Sequence, residues 1–149
     1  MLSGNIKIME LLSRSYPLIK QHRVELGDKT YFNMFRDHPE IKQLFKDTSP
    51  GQSQRLIDTI LFYSQEVENY ELFYERLDQI AYVHIKVGIK NEYYSYMKEA
   101  FISALRDVLK NSATEEMIRA WTYGFDSLSN ELIHIENLLR KHATAEPVV

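Results

Sequence analysis

Apolar residues recur along most of the chain at spacings of three and four, the period expected of helices that bury one face. The clearest case is the segment 70–85, whose apolar positions include Phe73, Leu77, Ile80 and Ala81. We find no stretch in which apolar and polar residues alternate between tight-turn dipeptides, the pattern that would indicate strands. The pattern therefore predicts an all-α protein.

Proline, glycine and capping residues divide this pattern into six or seven helices, short ones included. We predict helices over residues 5–20, 24–36, 39–45, 70–85 and 91–108, one that begins near residue 49 and includes Val67, and one that follows Ser112 and ends near residue 141. A bend is expected at Pro17, and helix starts are expected at Ser49-Pro50 and at Ser112 with Glu115. Residues 143–149 are expected to form a frayed tail.

Composition narrows the class of protein. The length of 149 residues suits one domain with one sizeable core. The net charge of -3 argues against a nucleic-acid partner, which would need a basic surface. No apolar run reaches the roughly 18–20 residues needed to cross a membrane, and the N-terminus lacks a signal-peptide pattern. We therefore expect a single-domain cytoplasmic protein without membrane insertion.

Cysteine and histidine usage restricts the metal chemistry. Because the chain has no cysteine, disulfides, thiolate zinc sites and iron–sulfur clusters are excluded. Among the five histidines, His84 is distinctive because it continues the apolar face of the segment 70–85. It has no second histidine three or four positions away, which disfavours a histidine-rich zinc site. One imidazole can suffice where a porphyrin supplies four nitrogen ligands, as in haem proteins.

Four motifs, taken in order, resemble the bacterial flavohaemoglobins and their single-domain globin relatives. They are Tyr31-Phe32-Asn33-Met34-Phe35 with His38-Pro39-Glu40-Ile41-Lys42 and Leu44-Phe45, then Tyr63-Ser64-Gln65-Glu66-Val67-Glu68-Asn69, then Ile80-Ala81-Tyr82-Val83-His84 with Gly88-Ile89-Lys90-Asn91-Glu92-Tyr93-Tyr94, and finally Ala120-Trp121 with Tyr123-Gly124. The resemblance spans about residues 17–140. It implies a globin fold of six to seven helices around one haem b group.

The resemblance also implies roles for residues on the distal, ligand-binding side of the haem. Tyr31 matches the tyrosine that hydrogen-bonds bound oxygen, and Phe45 matches the phenylalanine that packs against the haem face. Gln52 matches the distal glutamine, and Leu56 matches the apolar residue one turn later. Gln54 is an alternative to Gln52 for the distal role.

On the proximal side, His84 matches the iron ligand, and Tyr94 and Glu136 match the two residues that hold it. A carboxylate that accepts a hydrogen bond from the free ring nitrogen would fix the tautomer of the imidazole and raise its basicity. The iron would then be more electron-rich, which favours oxygen activation over simple carriage.

The function that this resemblance implies is reversible binding of O2 together with turnover of nitric oxide to nitrate. Flavohaemoglobins carry a reductase region after the globin, and because this chain ends at Val149 without one, we expect a separate reductase. Oxygen storage, transport or sensing in the same pocket, by a monomer or homodimer, is an alternative. A haem-free helical interaction module is another, in which His84 is a core histidine and Tyr93, Tyr94 and Tyr96 form a binding surface.

Overall fold

Six α-helices and two short 3₁₀ helices form the part of the chain that the computed structural model describes, residues 2–48, 51–65 and 70–145. The α-helices are α1 Leu2–Gln21, α2 Arg23–Asp37, α3 Gln52–Gln65, α4 Tyr70–Val87, α5 Tyr93–Leu109 and α6 Glu115–Ala145. The 3₁₀ helices are Pro39–Phe45 and Lys110–Ser112. No strand occurs in these residues, so the all-α prediction is confirmed.

Several predicted boundaries differ from those in the structure. Helix α1 spans residues 2–21 rather than the predicted 5–20, and it continues through Pro17, where a bend is predicted. The predicted capping box at Ser112 is wrong, because Thr114 Oγ1 accepts the hydrogen bond from the Met117 amide at 3.2 Å. Glu115 instead receives a 2.6 Å hydrogen bond from Arg106. The predicted helix start at Ser49-Pro50 and the position of Val67 lie outside the described residues.

A large apolar core forms where the six α-helices meet. Trp121 of α6 is fully buried there, and its indole N–H donates to Ser15 Oγ of α1 at 2.8 Å. A buried indole requires such a partner, because an unpaired N–H in an apolar interior costs about 1–3 kcal/mol. This contact therefore fixes α6 against the start of the chain.

Helices α2 and α3 approach each other closely at Gly27. A Cβ atom at this position would lie 2.3 Å from the carbonyl oxygen of Ser53. Glycine has no Cβ atom and therefore avoids this clash. Two polar contacts hold the same crossing: Ser53 Oγ donates to Asp28 Oδ1 at 2.7 Å, and Arg23 Nη1 donates to Asp58 Oδ1 at 2.9 Å. The crossing places the first turn of α3 beside the middle of α2.

Helix α4 leaves part of its surface uncovered. It packs chiefly on α6, and near its start it meets α3 through ring contacts of Phe73 with Phe62 and Tyr63. Towards its other end, Val83 and Val87 are 53% and 42% exposed. No helix among the described residues is long and apolar enough to cross a membrane.

Candidate functional site

His84 lies in the last turns of α4 and is hydrogen-bonded through one ring nitrogen. Its Nδ1 is 2.8 Å from Tyr94 Oη on α5 and 3.1 Å from Glu136 Oε2 on α6. Tyr94 Oη donates its own proton to Glu136 Oε2 at 2.5 Å. Since the tyrosine proton is used in this way, the remaining proton of the triangle belongs on His84 Nδ1. The network therefore selects the tautomer in which Nε2 carries a lone pair.

Glu136 is a fully buried carboxylate at the centre of this network. A buried charge is tolerated only when it is paired and hydrogen-bonded. Oε2 is hydrogen-bonded to the neutral groups of His84 and Tyr94, whereas Oε1 has no hydrogen bond and lies 3.7 Å from the cationic Arg140 Nη2. The ion pair with Arg140 thus contributes to balancing the charge of the buried carboxylate.

Arg140 also connects the network to the corner between α4 and α5. Its Nη2 donates to the Ile89 carbonyl at 2.8 Å, and its Nη1 donates to Asn91 Oδ1 at 3.3 Å. A surface cavity of about 520 Å³ opens at this corner, and none of the predicted site residues lines it. Arg140 was not predicted as a site residue, because on the sequence it resembles a solvated helix charge four positions after Glu136.

The ionisation of Tyr94 follows from its surroundings. Burial raises the pKa of Tyr94 well above its ordinary value of 10.0, and the hydrogen bond to Glu136 and the negative charge of that carboxylate act in the same direction. The hydroxyl therefore stays protonated at physiological pH and remains a donor to Glu136.

The opposite ring nitrogen of His84 is suited to bind a group that the polypeptide does not supply. No described residue makes a hydrogen bond to Nε2, and the side chain is 28% exposed. Val87 lies one turn away on the same uncovered side of α4. A free imidazole lone pair beside uncovered apolar surface would suit His84 to hold the iron of a haem.

The described residues contain no cluster of three or more His, Asp or Glu side chains arranged to hold a metal ion. Four porphyrin nitrogens would remove the need for such a cluster, so the haem expectation is compatible with this arrangement.

A second group of predicted residues meets at the crossing of α2 and α3. Gln52 Nε2 donates to Tyr31 Oη at 3.2 Å. Since Tyr31 accepts this hydrogen bond, its own proton remains available for another acceptor. Burial raises the pKa of Tyr31, while the hydrogen bond from Gln52 and the charge of Arg55 oppose that rise without cancelling it. Tyr31 is therefore a neutral donor at physiological pH.

The two alternatives for the distal glutamine differ in their contacts. The side chain of Gln52, in the first turn of α3, reaches Tyr31, and no such contact is found for Gln54 among the described residues. Leu56 lies one turn after Gln52 and packs, partly buried, against the main core.

Phe45 lies at the end of the first 3₁₀ helix, among aromatic rings of α2. Its ring centroid is 5.4 Å from that of Tyr31, in an edge-on arrangement, and 5.3 Å from that of Phe35. Such tilted contacts are favourable for aromatic pairs and hold rings in defined orientations. Phe45 thus helps to fix the ring of Tyr31.

Arg55 joins the Tyr31–Gln52 pair, which sequence reasoning did not anticipate. Its Nη2 and Nε donate to Gln52 Oε1 at 2.8 and 3.2 Å. The only feature of the sequence that points to this contact is the spacing of three residues between Gln52 and Arg55, which places their side chains on one helix face.

The tyrosines proposed as an open binding surface are instead engaged in packing. Tyr93 and Tyr96 pack against the small core cluster that includes Met34 and Ile41. Tyr96 also stacks on His38 at a centroid distance of 3.7 Å. These contacts, with the use of Tyr94 in the His84 network, disfavour the interaction-module alternative.

Comparison with known proteins identifies a family for most of the chain. The family model for globins matches residues 28–132. A globin-like protein of Aquifex aeolicus is 29% identical over 131 residues, which cover 88% of this chain and 93% of that protein. A bacterial globin from Campylobacter jejuni superposes with a TM-score of 0.80 at 26% identity, over 90% of this chain and 97% of that one.

Flavohemoproteins are also similar to this chain. That of Chromobacterium violaceum is 29% identical over 138 residues, covering 91% of this chain but 34% of its own length. The chain therefore spans about a third of the flavohemoprotein that it matches.

Proposed function

Because this chain belongs to the globin family, which implies haem binding, we propose that it holds haem b, binds O2 reversibly and turns over nitric oxide to nitrate. The relatives named flavohemoproteins support the haem, and the sequence resemblance implies the chemistry with O2 and nitric oxide. The observation that carries the proposal is the hydrogen bond from Gln52 Nε2 to Tyr31 Oη, which leaves the tyrosine proton free for a ligand.

The bound haem would supply the redox-active iron at which O2 and nitric oxide react. His84 is the proposed ligand through Nε2, since Nδ1 is engaged by Tyr94 and Glu136. Glu136 accepts hydrogen bonds from both His84 and Tyr94. The negative charge of its carboxylate therefore lies next to the Nδ1–H group of His84 and raises the basicity of the imidazole. A more basic imidazole donates more electron density to a metal, which favours activation of oxygen.

Tyr31 and Gln52 would act on the ligand-binding side of the haem, away from His84. Tyr31 would donate its hydroxyl proton to an oxygen ligand that develops negative charge, and such donors in a site shielded from water stabilise charge strongly. The hydrogen bond accepted from Gln52 polarises the tyrosine hydroxyl and makes it a better donor. Phe45 and Leu56 are proposed to contact the haem and to exclude water from it.

Turnover would also need an electron donor for the haem. We propose that a reductase provides these electrons, by analogy with the flavohemoprotein relatives. O2, nitric oxide and a reductase are accordingly the proposed partners of this chain.

A direct experiment separates turnover from oxygen storage, transport or sensing. The purified protein is equilibrated with O2, supplied with an added reductase and its electron donor, and given successive additions of nitric oxide while absorbance and nitrate are measured. Formation of many nitrates per haem supports the proposal. Haem that stays oxidised after one nitrate would favour a non-enzymatic role, and protein that neither carries nor takes up haem would contradict both.

A further inference from the structure

The side-chain amide of Gln52 has two possible orientations, which exchange the positions of its oxygen and its NH2 group. Its contact with Arg55 favours one of them. In the structure Oε1 accepts from both Nη2 and Nε of Arg55, at 2.8 and 3.2 Å, and Nε2 faces Tyr31. If the amide were rotated by half a turn, its NH2 group would face the guanidinium, which has donors only. The rotated amide would therefore lose two charge-assisted hydrogen bonds.

The local structure of α3 places the guanidinium of Arg55 where it can hydrogen-bond the amide oxygen of Gln52. Side chains on a helix incline towards its N-terminus, so position 55 reaches back over position 52. The guanidinium also lies over Gly51, where a Cβ atom would meet Arg55 Nη1 at 3.5 Å. Gly51 itself has a φ of +89°, a conformation that favours glycine. The first turn of α3 thus holds Arg55 beside the Gln52 amide.

The three residues form a directed chain of hydrogen bonds. Arg55 donates to Gln52, Gln52 donates to Tyr31, and the Tyr31 proton remains for a ligand. Hydrogen bonds in such a chain polarise one another, and a positive charge at its start strengthens this effect. A carbonyl oxygen of Gln52 turned towards the ligand would instead repel negative charge.

We propose that Arg55 is a positioning residue of the distal site, which holds Gln52 Oε1 so that Tyr31 and Gln52 together present only hydrogen-bond donors to a ligand. The inference rests on the proposed function, because it needs a ligand at the haem. It specifies the ligands that the site favours: those that carry or acquire negative charge, such as O2 on ferrous iron or azide on ferric iron, over the neutral molecule CO.

A double-mutant cycle tests whether Arg55 acts through Gln52. The four proteins are the wild type, Arg55→Met, Gln52→Leu and the double variant, and the rate of O2 dissociation is measured in each. We expect Arg55→Met to raise the rate by about threefold to tenfold in the wild-type background, the equivalent of one hydrogen bond. In the Gln52→Leu background the same substitution should change the rate by less than about twofold.

The C–O stretching frequency of the CO complex gives a second readout, which reports the potential at the ligand rather than fold stability. Arg55→Met should add a band at higher frequency, from protein in which the amide oxygen faces the ligand. Arg55→Lys keeps the charge but lacks the planar guanidinium with its several donors. Its spectrum should therefore lie between those of the wild type and Arg55→Met. Arg106→Met, which removes an exposed arginine paired with Glu115, is the matched control and should leave the spectrum unchanged.

Equal effects of Arg55→Met in both backgrounds would overturn the inference, since Arg55 would then act by its charge alone. The absence of any effect on the O2 rate and the CO spectrum would overturn it as well. These outcomes leave the proposed function intact. A wild-type protein with no CO band at all would instead contradict the proposed function, and the inference with it.

Discussion

His84 and Glu136 lie 52 positions apart in the chain, yet His84 Nδ1 is 3.1 Å from Glu136 Oε2. The carboxylate is completely buried, whereas the imidazole is 28% exposed. One side of the ring is thus held by the protein interior while the other is left accessible. This asymmetry orients Nε2 and makes His84 the proposed iron ligand.

Replacement of His84 by alanine should remove the proposed axial ligand. Loss of a residue that only supports a metal ligand already weakens metal affinity by about 10–100-fold, so loss of the ligand itself should weaken haem affinity by more than about 100-fold. Haem transfer to an acceptor protein, followed by absorbance, measures this affinity. Replacement of His134, an exposed histidine on α6, provides the control and should retain haem normally.

Glu136→Gln should make the imidazole of His84 a poorer electron donor. Glutamine keeps the size of the side chain but is a weaker acceptor for the Nδ1–H group than a carboxylate. We expect a lower iron–histidine stretching frequency, a higher reduction potential and a loss of about tenfold in haem affinity. Resonance Raman spectroscopy and potentiometry measure these changes, and Glu99→Gln, at an exposed position of α5, is the control. An unchanged frequency would show that Glu136 does not tune the iron.

Tyr31→Phe should speed the release of O2. The ring contacts with Phe35 and Phe45, at centroid distances of 5.6 and 5.4 Å, survive in this variant, so only the hydroxyl is tested. Loss of one hydrogen bond to a charged ligand predicts an increase in dissociation rate of at least about tenfold. Laser photolysis or stopped-flow mixing measures the rate, with Tyr82→Phe, at a 64% exposed tyrosine, as control.

The raised pKa of Tyr31 predicts how stability changes at alkaline pH. Because folding raises this pKa above its ordinary value of 10.0, the folded state retains a proton that the unfolded state releases. The stabilisation is therefore complete below pH 10 and is lost as the pH rises through the folded-state pKa. Unfolding by guanidinium between pH 9 and 11.5 should show a steeper loss of stability in the wild type than in Tyr31→Phe. Parallel slopes for the two proteins would contradict this expectation.

Gly27→Ala should disturb both stability and the distal site. The added methyl group would meet the Ser53 carbonyl oxygen at 2.3 Å, which forces α2 and α3 apart. Overpacking of this kind costs about 1–3 kcal/mol in the free energy of unfolding. Because Gln52 precedes Ser53, the contact with Tyr31 should also lengthen and O2 should leave faster.

Gly124→Ala is the matched control for this experiment. A Cβ atom there would meet Leu12 at 3.8 Å, an ordinary packing distance, and alanine favours a helix over glycine by about 0.5–1 kcal/mol. Denaturant unfolding should therefore show destabilisation for Gly27→Ala and none for Gly124→Ala. Equal stabilities of the two variants would show that the α2–α3 crossing is not as tight as the structure has it.

The sequence by itself determined the helices and singled out His84. Helical periodicity is a local property: apolar residues at spacings of three and four reveal which face of a segment is buried, whatever packs against it. His84 was recognisable because it continues such a face on α4. The order of motifs from Tyr31 to Trp121 then indicated the family before any contact was known.

Only the tertiary structure decided which side chains meet, because those contacts depend on how helices cross. The approach of α2 and α3 at Gly27 brings Gln52, rather than Gln54, to Tyr31. Arg55 and Arg140 illustrate the limit further, since each has the spacing of an ordinary surface charge on a helix. What distinguishes them is the surroundings of their partners, since Gln52 also reaches Tyr31 and Glu136 is fully buried, and these follow from long-range packing that no local pattern records.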